Sequence, residues 1–391
     1  MTNELINFKN IALSNDLLDS QEQKPNLYDL KVVFDTNTKL VSIKNNVESE
    51  SMFNSNYVYD SSRSITMLKH FENAAIDLQR RFYPQKTLEI GSNSGIFIKH
   101  FPNDKSIAVE PCDNFAELTN KMDIKTYSDY WNQETCEKIL SEHGKMDLVF
   151  SSNTISHVQN LNETLQSIKN ILNDDGVFIL ETPSFLEVLK YNAFDQFYHE
   201  HQSYFSLISL NNLLENIDMR IFDVSKHNVH GGTYRVMICN TNADYFDVVN
   251  KSYYKEESDY GVDNFYKIKK RINIMKSNMM NIKDLLEDLK QKGNRVVGYG
   301  ATAKFTNVMN MCGLDNKHID YVLDTTPLKN NKWIPNTNVQ IKAYSPQRVK
   351  NIDYFYLGAW NYKKEILEKE WEYLFDGGKF ITHIPKVKIL K

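Results

Sequence analysis

Thr87-Leu88-Glu89-Ile90-Gly91-Ser92-Asn93-Ser94-Gly95 reads as a short apolar strand running into a glycine turn, with a helix expected to start near Gly95. Gly91 and Gly95 permit backbone torsions closed to other residues and let a ligand approach the main chain. A helix start there would offer free N–H groups. The next apolar run, 106–109, ends at Glu110 just before Pro111. An acidic residue about 20 positions beyond the strand can accept the ribose hydroxyl hydrogens of a nucleoside. Further out, 146–150 and 176–180 read as strands, with amphipathic helices near 113–121, 133–143 and 161–172. Strands alternating with helices predict an α/β fold with a doubly wound parallel sheet. Its ligand crevice would lie at the carboxyl ends of the strands.

The turn lacks the third glycine of the dinucleotide fingerprint. A Glu-x-Gly-x-x-x-Gly turn followed by an acidic end to the second strand is the usual layout of S-adenosylmethionine (SAM) methyltransferases. That cofactor has no phosphate and does not need the tighter turn. An NAD-type fold and a Rossmann-like domain without cofactor are the competing readings. On the first reading the cofactor-binding candidates are Glu89, Gly91, Ser92, Asn93, Gly95, Glu110 and, past the 146–150 strand, Asn153.

The whole composition fits a globular, multidomain chain: 391 residues, 41% hydrophobic and 25% charged. A net charge of −4 argues against a dedicated nucleic-acid binder. No run approaches the roughly 18 apolar residues that span a bilayer. The first ten residues lack the apolar segment of a signal peptide, so a cytoplasmic protein without a membrane partner is expected. Cys112, Cys136, Cys239 and Cys312 are scattered, which disfavours a disulfide framework or a thiolate metal site.

Ahead of the sheet, runs 30–34 and 39–43 flank Asp35-Thr36-Asn37-Thr38 and predict a hairpin; the rest of 1–50 reads as irregular. A helix is expected over 62–82. Residues 183–206 fit no element, and a helix with two strands, 219–225 and 233–239, should close the sheet. Phe265, Ile268, Ile272, Met275, Met279, Ile282, Leu286 and Leu289 alternate three and four apart. Such a heptad seam serves either packing against a neighbouring domain or a homodimer coiled coil. A second α/β series follows, with strands at 295–297, 318–323, 354–357 and 379–381 and a helix at 302–311.

Several short motifs follow one another in order. They are Tyr198-His199-Glu200-His201, Tyr204-Phe205, His230-Gly231-Gly232-Thr233-Tyr234-Arg235 and Gly298-Tyr299-Gly300-Ala301-x-Ala303-Lys304. Asp324, Pro327, Lys329, Pro335 and Ala359-Trp360-Asn361 complete the set. Together they resemble the sugar C-methyltransferase family, which acts on nucleotide-linked 4-keto-deoxy sugars, over nearly the whole chain. The resemblance implies three parts: a small N-terminal zinc-binding unit, a central SAM domain and a C-terminal Rossmann-like domain. With the elements read above they fall at 1–60, 61–245 and 293–391, with a long linking helix over 246–292. The substrate would sit between the last two domains. The chain departs from the family at the hairpin, where Asp35-Thr36-Asn37-Thr38 replaces a Cys-x-x-Cys. A hairpin without metal, leaning on its neighbour, is therefore expected.

The resemblance also distributes roles. His201 matches the histidine assigned as base, and Glu200 and Tyr198 match its active-site companions. Read from spacing alone, these polar residues beside Phe197 and Phe205 equally suit a tied-down loop. His157 follows the 146–150 strand, where this fold faces its ligand; an inert helix start is the other reading. Tyr57 and Tyr59 sit in a Tyr-x-Tyr-x-Ser-Ser segment of which one tyrosine closes over the sugar, or both are core aromatics. His230 and Gly231 offer a close backbone approach to substrate or a plain turn, and Arg235 can pair with a buried carboxylate. Gly298, Gly300 and Lys304 suit a diphosphate at a helix start, or a structural turn. Carbon methylation beside a ketone would need a base and an enolate stabiliser. An O- or N-methyltransferase and a non-catalytic SAM- or nucleotide-binding module remain the rivals.

Overall fold

Three β-sheets carry the chain in a computed structural model that describes residues 1–44, 47–55 and 57–391. The first is antiparallel: β1 (Thr2–Ala12), β2 (Leu27–Asp35) and β3 (Val41–Lys44), closed by the short strand Ser203–Tyr204 from mid-chain. The hairpin is β2–β3. Asp35 closes its turn, Oδ1 accepting from the amides of Asn37 (2.9 Å) and Thr38 (2.8 Å). β1 falls in a segment read as irregular. Its register shifts between Glu4 and Ile6 and again between Phe8 and Ile11, and such irregularities break the period-two alternation that marks a strand.

Helix α1 (Ile65–Phe82) starts later than the spacing suggested, because Ser64 caps it by accepting from the Met67 amide. The central sheet then builds from β4 (Thr87–Ile90), β5 (Ser106–Val109), β6 (Lys125–Tyr127), β7 (Met146–Ser152), β8 (Leu172–Pro183), β10 (Met219–His227) and β11 (Thr233–Asn240); β9 is Ser203–Tyr204. Its order is β10-β11-β8-β7-β4-β5-β6. The strands from β8 to β6 are parallel, and β11 and β10 run antiparallel. Helices α2 (Asp113–Asn120), α3 (Gln133–His143) and α4 (Leu161–Ile171) are the crossovers. The strand order reverses between β4 and β7, so the glycine turn after β4 opens onto the switch point.

No α-helix begins at Gly95. The chain turns through Asn93 (φ 47°) and Gly95 (φ 68°) and makes only a 3₁₀ turn at Ile98–His100. Ile96, Phe97 and Ile98 bury on the way, and Pro102 follows too soon for a longer helix. The unassigned 183–206 holds α5 (Phe185–Lys190), a 3₁₀ turn at Phe194–Gln196 and β9, before α6 (Leu207–Glu215).

After α7 (Ser252–Tyr260) comes α8 (Phe265–Gln291). Its seam residues Ile268, Ile272, Met275, Met279, Ile282, Leu286 and Leu289 are buried in one core with the first and third sheets. The seam is thus filled within the chain and is not free for a coiled-coil partner. Leu30, Val32 and Phe34 join that core, so the hairpin does lean on its neighbour.

The third sheet comprises β12 (Val296–Tyr299), β13 (Val322–Asp324), β14 (Trp333–Ile334), β15 (Val339–Ala343), β16 (Tyr354–Leu357), β17 (Lys379–Thr382) and β18 (Lys388–Leu390), with α9 (Ala303–Met311) after β12. Its order, β14-β15-β13-β12-β16-β17-β18, is parallel except at the two edges. β13 starts later than expected because His318 is tied into a turn, Nδ1 2.8 Å from Asp315 Oδ1. Among the described residues no helix is long and apolar enough to cross a membrane.

Candidate active site

The glycine turn is held by backbone and by Glu110. The Gly91 amide donates to Val109 O (2.8 Å) with φ 74°, and a Cβ there would lie 2.0 Å from Thr154 Oγ1. Buried Glu110 accepts the amides of Asn93 (2.7 Å) and Cys112 (3.0 Å). Burial raises its pKa, against the pull of those two amides. Beneath it, Glu89 accepts from the Ile98 amide (3.1 Å), and burial lifts its carboxyl well above the usual range. The Asn93 side chain faces away from the turn. Its Oδ1 accepts from Ser61 N and Oγ (both 3.0 Å), and its Nδ2 donates to Tyr59 O (2.9 Å). Asn93 therefore straps the Tyr57–Ser61 segment across the crevice, and Gly95, with Thr119 Cγ2 only 2.4 Å from a virtual Cβ, keeps the turn close to α2.

A cavity of about 360 Å³ opens here, lined by Gly91, Ser92, Glu110, Asn153 and His157 among others. Ser92 Oγ, Asn153 Oδ1 and His157 Nε2 are buried with no hydrogen-bond partner among the described residues. Buried polar atoms are ordinarily satisfied. Three orphans around one cavity, next to the Glu110 carboxylate, suit a polar, nucleoside-bearing ligand such as SAM.

The second half of the site is the 198–201 loop. Tyr198 Oη lies 2.6 Å from His201 Nε2, with their ring centroids 4.0 Å apart. His157 stacks between Phe53 and His201, with 5.2 Å between centroids on each side. Burial pushes His157 down to about 4, and burial with the charges of His157 and Lys304 drives His201 well below its ordinary value. Both imidazoles are neutral at pH 7 and can accept a proton. Glu200 behaves differently. Its two oxygens accept from Asn15 Nδ2 (2.7 and 3.0 Å), Tyr57 hydrogen-bonds it, and burial raises it to about 7.

The tyrosine pair divides. Both line the cavity, but Tyr57 hydrogen-bonds Glu200, whereas Tyr59 is 41% exposed and hydrogen-bonds Tyr362. Of the two, Tyr57 belongs to the polar cluster.

Two family models match the chain, a methyltransferase domain over residues 67–224 and a C-methyltransferase C-terminal domain over residues 228–385. The C-methyltransferase NovU of Streptomyces niveus is 30% identical over 398 residues, covering 99% of this chain and 94% of that protein. The chain belongs to the C-methyltransferase family. It is a SAM-dependent methyltransferase. Among solved structures, magnesium protoporphyrin IX methyltransferase from Synechocystis PCC 6803 with bound SAH is 9% identical, with a TM-score of 0.35 over 45% of this chain and 86% of that one. A SAM-dependent methyltransferase from Anabaena variabilis gives 15% identity and a TM-score of 0.35 over 43% and 83%.

In this C-methyltransferase the C-terminal domain holds the 195–201 loop from behind. Asn307 on α9 donates to the carbonyls of Asp195 (3.0 Å) and Phe197 (2.7 Å). Trp360 Nε1 donates to Asp195 Oδ2 (2.6 Å), and His383 Nε2 lies 3.4 Å from the same oxygen. Tyr356 Oη in turn meets His383 Nδ1 at 2.7 Å. Asn15, Asp195, Asn307 and His383 went unnoticed in the sequence. Each stands alone in its segment, and only the fold brings it near residues 195–201.

The candidate substrate contacts take different places. His230 lines the cavity, and burial pushes it down to about 3. The space beside Gly231 is filled by Trp360, 2.6 Å from a virtual Cβ, and that beside Gly298 by Phe305 and Val322, both at 2.8 Å. Both glycines therefore serve close packing. Gly300 (φ 87°) lines a second cavity of about 230 Å³ between the Val58–Ser64 segment and the C-terminal sheet. Lys304 points inward, where the charges acting on it are Asp195 and Glu200. Arg235 does pair with a buried carboxylate, Nε donating to Glu181 Oε1 at 2.7 Å. Among the described residues, no group of three or more His, Cys, Asp or Glu side chains could hold a metal ion.

Proposed function

We propose that this enzyme methylates carbon next to the ketone of a nucleotide-linked 4-keto-deoxy sugar, through an enolate, with a metal-free N-terminal hairpin. The observation that carries the reading is the Tyr198–His201 contact of 2.6 Å beside a buried carboxyl poised at about 7. When bound, SAM supplies an electrophilic methyl; Glu110, Ser92 and Asn153 would hold it. The keto oxygen takes the Tyr198 hydroxyl, which burial keeps protonated, and so frees Nε2 of His201. Nε2 then accepts the proton from the neighbouring carbon, whose electrons form the enolate, and the Tyr198 O–H stabilises the enolate oxygen. The carbon takes the methyl group, the ketone reforms, and the proton leaves His201 for solvent. Glu200, near half-ionised at pH 7, orients a sugar hydroxyl, and Tyr57 closes over the sugar. The cavity at Gly300 would lodge the nucleotide end.

The test incubates the protein with SAM and a panel of nucleotide-linked 4-keto-6-deoxy sugars in heavy water. A product carrying one new C-methyl, with deuterium exchange at that carbon in SAM-free controls, is expected. His201→Asn should abolish the exchange while leaving SAM affinity unchanged. Turnover across no member of the panel, or methyl on oxygen or nitrogen, would retire the proposal.

A further inference from the structure

Away from both cavities, the C-terminal sheet carries an open recess of about 480 Å³ that shares no lining residue with either. Arg295, Lys342, Arg348 and Lys350 line it, together with Tyr321 and uncharged amide side chains. Four cations and no acid face one space. Among the described residues none of the four forms an ion pair. The neighbouring acids are engaged elsewhere: Asp320 with Lys290 at 2.6 Å, and Asp353 with the Arg295 amide at 2.7 Å.

The recess is also ordered. Arg295 Nη2 donates to Tyr321 Oη (3.4 Å), and Lys342 Nζ sits 4.3 Å from the centroid of the Tyr321 ring. Arg348 Nη1 donates to the Ala343 carbonyl (2.8 Å). Buried Tyr321 thus acts as a post between two cations, and a main-chain carbonyl fixes a third. Four like charges held close together repel one another, in a chain whose net charge is −4. A bound anion would remove that repulsion. A terminal phosphate carries about two negative charges at pH 7 and each inner one about one, so two or three linked groups bring about three or four charges to four cations. The arginine forks add bidentate geometry that suits phosphate oxygens.

We propose that this recess binds a di- or triphosphate group, free or carried on a nucleoside, at a site separate from the catalytic cavity. Titration calorimetry on the full chain, at constant ionic strength, tests it with pyrophosphate, inorganic triphosphate and a nucleoside triphosphate as probes. Saturable one-to-one binding is expected, weakened at least about tenfold in the double variant Lys342→Gln/Arg348→Gln, with SAM affinity and Tm in plain buffer retained. The exposed single variant Lys350→Gln, far less prone to perturb folding, should weaken binding about two- to fivefold. Equal affinity for free and nucleoside-linked phosphate would name the phosphate chain as the ligand; a variant-sensitive gain for the nucleoside form would name a nucleotide. Absence of saturable binding, or binding untouched by either variant, overturns the proposal.

Discussion

Two buried carboxylates at the central crevice have opposite fates. Glu181, at the carboxyl end of β8, is held by Arg235 Nε (2.7 Å), His70 Nε2 (2.9 Å) and Ser152 Oγ (3.1 Å). Burial alone would raise it, but the His70 hydrogen bond and the Arg235 charge outweigh burial and bring it to about 2. Glu200 is just as buried, yet receives only the Asn15 amide, the Tyr57 hydroxyl and the more distant charges of Lys304 and Lys329. Burial wins there, and the group sits near 7. The pair teaches that burial does not decide what a carboxyl does; the charge brought with it does. Glu181 is locked as an anion and braces the sheet, whereas Glu200 can change state near neutral pH.

The sharpest way to break this contrast is Glu200→Gln. Turnover should fall by about 10²-fold or more, the scale of a lost acid–base or orienting group, while stability changes the other way. The folded Glu200 has a raised pKa, so its contribution to stability is full below about 4.5 and is lost as pH rises through about 7. The neutral isostere should therefore melt a few °C above wild type at pH 8, with the gap closing toward pH 5. A gap that is the same at both pH values would remove the charge argument.

Glu181→Gln should do the reverse. A carboxyl depressed from 4.5 to about 2 contributes about 3 kcal/mol that is present above 4.5 and lost as pH falls through 2. Chemical denaturation at pH 7 should register that loss. A change within about 0.5 kcal/mol would make the brace decorative.

Asn307→Ala tests how far Glu200 depends on its loop being held. Removing a buried donor to two carbonyls costs about 1–3 kcal/mol, and kcat should fall while SAM affinity stays, because Asn307 hydrogen-bonds the 195–197 backbone and Ser14 rather than the glycine turn. Equal losses in kcat and SAM binding would point to general unfolding instead. The smallest expected effect is at Tyr59→Phe, where losing the Tyr362 hydrogen bond should change kcat less than Tyr57→Phe, which strips a partner from Glu200.

Most of the architecture was legible because it repeats locally. β4 and β5 were each read from four consecutive residues, and α8 from a seam that obeys one period. The misses share a cause. β1 hides behind register shifts, α1 starts after the Ser64 cap rather than at residue 62, and no helix forms after Gly95 because the apolar run that follows it is needed in the core. The site was legible as motifs and not as roles. Tyr198, Glu200 and His201 were named together, but nothing in their spacing says that Asn15, 185 residues away, shares a hydrogen bond with Glu200.

By itself, the order of residues determined the α/β layers, the glycine turn with its acidic partner at Glu110 and the succession of motifs that marks a C-methyltransferase. All of these depend on contacts a few residues long or on short fixed signatures. Tertiary structure alone decided which tyrosine meets Glu200, that the α8 seam is already filled, and that two buried carboxyls differ in charge. Those outcomes depend on desolvation and on charges from distant segments, which exist only once the chain has folded.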